Sequence, residues 1–177
     1  MTYVRSFGLV IAALLLVAGC GSATTTSQPT EGTPGVTHTT AAGVEQLQFT
    51  AKTVDGQDFS GQSLLGKPAV LWFWAPWCPK CQREAPDVAR VAHANPAVTF
   101  VGVAARDQRP AMKDFVSKYQ LGSFQHLADV DGAVWQRFGV TQQPAFAFIG
   151  ADGTVQVVKG ALSEQALTER VTKLASA

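Results

Sequence analysis

Two cysteines, Cys78 and Cys81, stand close together in the stretch FWAPWCPKCQREAP, residues 73–86, with only Pro79 and Lys80 between them. A pair at this spacing can be a structural staple, half of a metal site or a working redox couple. A zinc site needs about four ligands. The chain's three histidines, His38, His93 and His126, are scattered without ligand spacing, so no metal is expected. A bridge over so short a loop removes little entropy from the unfolded chain, because that gain grows with loop length. Redox chemistry is the reading the pair supports best, and it needs no cofactor beyond a Cys78–Cys81 disulfide.

The chemistry depends on where the pair sits. A helix's first turn presents backbone N–H groups without partners, and its dipole favours negative charge there. A cysteine in that position ionises more readily, and the thiolate is the nucleophile. Cys78 is the candidate for this role. Cys81, one helical turn below, is close enough for a short-range disulfide. Exchange would pass through a mixed disulfide between Cys78 and a partner, resolved by Cys81. Lys80 adds positive charge beside Cys78. Stabilising the thiolate stabilises the reduced form and makes the disulfide more oxidising. Glu84 lies three residues after Cys81 and can neighbour it on a helix, which makes it a candidate for moving a proton at Cys81. The alternative is a surface glutamate paired with Lys80, a common and weak interaction.

The elements around the pair follow from hydrophobic patterning. Ala69 to Ala75, AVLWFWA, is a continuous apolar run of strand length, suited to a central strand buried on both faces. A helix should start near Cys78, with Pro86 bending it. Val98–Ala104 reads as the next buried strand. Met112, Phe115, Val116 and Tyr119 recur at helical spacing. Gln125–Val130 reads as a short strand and Ala133–Phe138 as a short helix stopped by Gly139. Ala145–Ile149 and Val155–Val158 form a hairpin around Ala151-Asp152-Gly153-Thr154, and Ser163 caps a last helix. Upstream, Leu47, Phe49 and Ala51 alternate as in a half-buried strand, Asp55-Gly56 signals a turn, and Phe59 sits on a returning strand. The alternation of strands and helices implies an α/β fold with parallel strands, to which the terminal hairpin adds an antiparallel edge.

The chain has 177 residues and a formal net charge of +1, enough for one domain with extensions and without a nucleic-acid footprint. Residues 1–19 read as an export signal: Arg5, an apolar run FGLVIAALLLV, then small residues. The run is short for a membrane span, which needs ~20 apolar residues. Leu16-Val17-Ala18-Gly19-Cys20 resembles a bacterial lipobox, which implies a lipid attached to the sulfur of Cys20 and an anchored chain. Residues 20–43 are rich in Thr, Ser, Pro and Gly and read as a flexible tether. Residues 44–177 form the domain. Outside the cytoplasm disulfides persist, and with Cys20 set aside only Cys78 and Cys81 remain to pair.

Residues 73–81 resemble the active-site stretch of thioredoxins. The wider run of Asp55-Gly56, Gly66-Lys67-Pro68, Trp77-Cys78, Cys81 and Glu84-Ala85-Pro86 is similar to the exported TlpA/ResA/DsbE branch, and with a lipobox it most resembles the actinobacterial DsbE/DsbF-type lipoproteins. The resemblance covers about Val44 to Ala177. It implies a thioredoxin-like fold: a central mixed sheet flanked by helices, with a TlpA-like insertion over about Gln108–Asp131. It implies that Thr141-Gln142-Gln143-Pro144 is a loop with Pro144 in cis, pairing with substrate backbone through Gln143. Residues alone leave a trans turn open. It also implies that Gly160 lets substrate approach at the entry to the last helix. Trp77 is expected to shield the disulfide and contact unfolded substrates. One departure stands out: thioredoxins carry a buried aspartate where this chain has Trp72.

The function expected is therefore an extracytoplasmic thiol–disulfide oxidoreductase, anchored to the outer face of the cell membrane. It would oxidise cysteine pairs of exported proteins and be recycled by a membrane redox partner. The alternatives are a disulfide reductant for cytochrome c maturation or repair, and a non-catalytic lipid-anchored binding domain with an inert disulfide. Nucleic acid is not expected as a partner.

Overall fold

The structure, a computed structural model, describes residues 36–38 and 40–176. In chain order it comprises β1 (Val36–His38), α1 (Thr40–Gln46), β2 (Thr50–Lys52), β3 (Asp58–Ser60), a 3-10 turn (Gly61–Leu64), β4 (Ala69–Trp74), α2 (Pro79–Ala94), β5 (Thr99–Ala105), α3 (Arg109–Lys118), β6 (Gln125–Asp129), α4 (Ala133–Arg137), β7 (Ala145–Ile149), β8 (Val155–Lys159) and α5 (Glu164–Ala175). Six strands form one sheet in the order β1-β8-β7-β4-β5-β6, and β2 and β3 form a separate hairpin. β4, β5 and β6 run parallel, while β7, β8 and β1 are each antiparallel to their neighbours. The result is a mixed sheet flanked by helices.

β4 lies between β5 and β7, and every one of its residues is buried. Successive strand side chains point to opposite faces, so its apolar run feeds two cores at once. Val70, Trp72 and Trp74 pack with Val88 of α2, Phe115 of α3 and Leu167 of α5. Leu71 and Phe73 pack on the other face with Val134 and Trp135 of α4 and with Phe59 and Leu64. A run that alternated polar and apolar residues could not hold this position, because neither face of the strand meets water.

Gly102 of β5 stands opposite Trp72. A Cβ there would lie 2.0 Å from His126 Nδ1 and 2.8 Å from Trp74 Nε1. The missing side chain is what lets an indole and an imidazole occupy the same face beside the strand.

Three upstream or edge features differ from the sequence reading. The last part of the stretch read as a tether is structured: Val36–His38 pairs with β8, and α1 begins at Thr40. The cause is the open side of β8, whose unpaired backbone groups accept another strand. For the same reason the β7–β8 hairpin is not the edge of the sheet. The first half-buried strand is also shorter than Leu47, Phe49 and Ala51 suggested. β2 starts at Thr50, and Leu47 is buried at the end of α1 rather than by strand alternation. Pro86 lies inside α2 without ending it.

Candidate active site

The parallel and antiparallel registers decide which residues meet. Phe73 of β4 pairs with Val103 of β5 on one side and with Ala145 of β7 on the other. The C-terminal ends of β4 and β5 therefore share an edge with the start of β7. That edge carries Cys78, Arg106 and Pro144.

Beyond Trp74 the chain turns, with Cys78 N–H donating to Ala75 O at 3.1 Å. Cys78 is the N-cap of α2 in an extended conformation, and Pro79 opens the helix, where its missing N–H costs nothing. The backbone N–H of Cys81 donates to Cys78 Sγ at 3.2 Å. A helix-terminal N–H aimed at a sulfur favours negative charge on it. Both cysteines are free thiols in the structure. They are not equivalent: Cys78 keeps 4 % of its surface exposed at the rim and Cys81 none. Burial is the main reason the Cys81 thiol is pushed well above the usual range, helped by its hydrogen bond with Cys78 and by the nearby charge of Glu84.

Glu84 is buried, not a surface partner of Lys80. Its Oε2 accepts from Trp72 Nε1 at 3.0 Å, and its Oε1 accepts from the backbone N–H of Leu162 at 2.7 Å. Burial raises its carboxyl to about 7, against these two hydrogen bonds, which pull it down. Trp72, on the inner face of β4, needs an acceptor for its N–H, and Glu84 on α2 is within reach of it. Lys80 is exposed on the first turn of α2.

The opposite wall comes from loops. The Gln143–Pro144 bond is cis. Pro144 is buried and Gln143 half-buried. Gly160 N–H donates to Pro144 O at 2.9 Å, so the entry to α5 lies against the Pro144 loop. Gly160 has φ +100°, a conformation that favours glycine, and no atom lies within 4 Å of where its Cβ would be. Trp77 is 52 % exposed, and its Nε1 donates to Arg106 O at 3.0 Å. Its ring is therefore a surface feature held at one end, unlike Trp72 and Trp74, which are core.

The structure thus gathers Cys78, Cys81, Glu84 and Lys80 on α2 and its cap, with Trp77 before them and Gln143, Pro144 and Gly160 facing the same sheet end. Cys20 and the export signal lie outside the described residues. The reading of the sequence did not single out Arg106 or the Leu162 N–H. A signal for Arg106 was present: the first charge after a buried strand parallel to β4, at the strand ends where α/β sheets place their ligands. Among the described residues no group of three or more His, Cys, Asp and Glu side chains is placed to hold a metal ion. No helix among them is long and apolar enough to cross a membrane.

Fold and site together define a thioredoxin-like thiol–disulfide oxidoreductase. The model of the AhpC/TSA family matches residues 42–158, and the chain belongs to that family. It is 56% identical over 135 residues to the soluble secreted antigen MPT53 of Mycobacterium tuberculosis, covering 75% of this chain and 78% of the relative. A solved structure of MTB dsbF in its mixed oxidized and reduced forms is 65% identical, with a TM-score of 0.72 over 73% of this chain and 96% of that one. A secreted M. tuberculosis disulfide oxidoreductase homologous to E. coli DsbE is 56% identical, with a TM-score of 0.71, over 73% of this chain and 98% of that one.

Proposed function

We propose that this enzyme oxidises cysteine pairs of exported proteins outside the cytoplasm, using Cys78 and Cys81 as its redox couple. The observation that carries the reading is the asymmetry of the pair: Cys78 at the rim with a helix-terminal N–H on its sulfur, and Cys81 wholly buried. A substrate thiolate attacks Cys78 Sγ of the disulfide, and the Cys78–Cys81 bond breaks. Cys81 leaves with the electron pair and takes a proton. A second substrate thiolate then attacks the substrate sulfur of the mixed disulfide and expels Cys78 as thiolate. The substrate has lost two electrons and the enzyme holds them as a dithiol.

Cys81 needs that proton, since burial disfavours its thiolate. Glu84, with its carboxyl near 7, is protonated in part at neutral pH and is the group proposed to supply it. Exposed Trp77 offers an apolar contact to unfolded chains. Gln143 offers its backbone beside Pro144, and Gly160 leaves open space for an approaching chain. Helix-terminal N–H groups and the positive charge of Lys80 support the oxidising direction, because both favour the reduced form of the couple.

The similarity to secreted proteins supports export. Attachment through a lipid on Cys20, with residues beyond it acting as a tether, is part of the proposal, as is a membrane redox partner that removes the electrons. An equilibrium titration against glutathione tests the direction. A potential near about −120 mV supports oxidase duty, and one near about −270 mV would replace it with a reductant's role. Recovery of activity by a reduced, unfolded substrate tests the same step directly.

A further inference from the structure

Arg106 follows β5 at the sheet end where β4 delivers Cys78. Its φ is +61°, a left-handed conformation that is strained for any residue with a side chain and that glycine would adopt freely. Three contacts hold it there. Its carbonyl accepts the Trp77 indole N–H at 3.0 Å. Its Nη2 donates to Thr141 O at 2.9 Å. Its guanidinium lies over the Trp135 ring, 5.3 Å from the centroid, within cation–π range. Trp135 is itself fixed, with Nε1 donating to Val103 O at 3.0 Å and its backbone N–H donating to Asp129 Oδ2 at 2.9 Å. One residue therefore ties the tryptophan that precedes Cys78 to the start of the loop that ends in Pro144.

We propose that Arg106 is a positioning residue for thiol–disulfide exchange, fixing Trp77 and the Thr141–Pro144 loop as the two walls between which a polypeptide partner brings its cysteine to Cys78. The inference rests on the reading that the partners are polypeptide thiols. The two ties use different parts of the residue. The backbone carbonyl holds Trp77 and depends on the left-handed conformation. The side chain holds the loop and depends on the guanidinium. That side chain is committed to Thr141 O and the Trp135 face, so it acts on where a partner sits and not on the sulfurs. A small disulfide needs neither wall and is indifferent to it.

The test uses the full chain as wild type and as Arg106→Met, Arg106→Lys and Arg106→Gly. The first removes the donors but keeps a long side chain, the second keeps a cation with one donor for Thr141 O, and the third removes the side chain while relieving the backbone. Arg106 is exposed, so the fold tolerates these changes, and thermal unfolding checks that it does. The readouts are KM and kcat with a dicysteine peptide, the rate with oxidised glutathione, and the redox potential. Arg106→Met and Arg106→Gly should each raise the peptide KM about fivefold, the effect of losing one hydrogen bond of ordinary net strength, with kcat, glutathione rate and potential unchanged. Arg106→Lys should recover part of the loss. A peptide KM equal to wild type in Arg106→Met and Arg106→Gly overturns the inference. So does a parallel fall in the glutathione rate, which would place the effect on the cysteines or the fold. A wild-type chain that exchanges with glutathione but with no peptide overturns the polypeptide reading and this inference with it.

Discussion

Replacing Glu84 with glutamine should make the stability difference from wild type depend on pH, and the structure gives its size and sign. The carboxyl moves from an ordinary value of 4.5 to about 7 in the folded chain, chiefly because it is buried. A raised value means that the folded state prefers the protonated form. The stability contributed by that preference is fully present below about 4.5 and is lost as pH rises through about 7. At about 1.4 kcal/mol for each tenfold change in an equilibrium constant, the loss is about 3 kcal/mol. Glutamine has the same shape but does not titrate. It also presents an amide –NH2 to one of the two donors, Trp72 Nε1 or Leu162 N–H, which costs about 1–3 kcal/mol for a buried, unpaired donor. Below pH 4.5 wild type should therefore be the more stable by that amount. By pH 8 the advantage should be gone or reversed. Denaturant unfolding of both chains as dithiols, at a series of pH values, measures the difference with all other titrating groups in common. A difference that stays flat between pH 4.5 and 8, or that grows in favour of wild type as pH rises, would refute the reasoning.

Other substitutions test the couple and the core. Cys81→Ser, given a substrate whose cysteines are already joined as a disulfide, should run the exchange in reverse and trap Cys78 in a mixed disulfide, visible as a band on a non-reducing gel that reductant removes, and Cys78→Ser should give none. Oxidation of a dithiol substrate by Cys81→Ser at the wild-type rate would contradict Cys78 and Cys81 as the redox couple. Gly102→Ala should cost about 3 kcal/mol by overpacking, since its methyl would overlap buried His126 and Trp74. Chemical unfolding should show a lower midpoint at unchanged slope, and a loss under about 1 kcal/mol would mean the rings can move aside.

What the sequence made legible follows from how local each cause is. β4 is a run of apolar residues that only a doubly covered strand can accommodate, so its place was readable from composition alone. The cysteine spacing and the helix after it were equally local, and so was the Ser163 cap, whose Oγ accepts from Ala166 N. β1 was not legible because backbone pairing with β8 creates it, and its three residues carry no pattern of their own. Leu47 misled for a related reason: it is apolar because tertiary packing covers it, not because it sits in a strand. At the site, the position of Glu84 was readable but its partners were not. Leu162 is 78 residues away in the chain, and the bond exists only once α2 and the entry to α5 are packed together. Arg106 likewise acquires its meaning from Thr141 and Trp135, which only the folded sheet brings to it.

The substitution of tryptophan for the aspartate of the thioredoxin pattern changes more than one side chain. An indole N–H can only donate, so Trp72 at a buried position requires an acceptor, and Glu84 provides one from α2. The acid thus reaches the neighbourhood of Cys81 from the helix rather than from the strand. It arrives with its second oxygen bound to Leu162 N–H, two residues after the Gly160 that donates to Pro144 O. Strand, helix and the loop beside Pro144 meet at a single carboxyl. A protonated carboxyl is a weaker acceptor than a carboxylate, so protonating Glu84 loosens the hold on Trp72 and on Leu162 together. On the proposal that Glu84 supplies the proton to Cys81, that supply and the firmness of the loop beside Pro144 are one property of the same carboxyl. The pH dependence of the Glu84→Gln comparison measures how far burial, working against these two hydrogen bonds, has moved it towards neutrality.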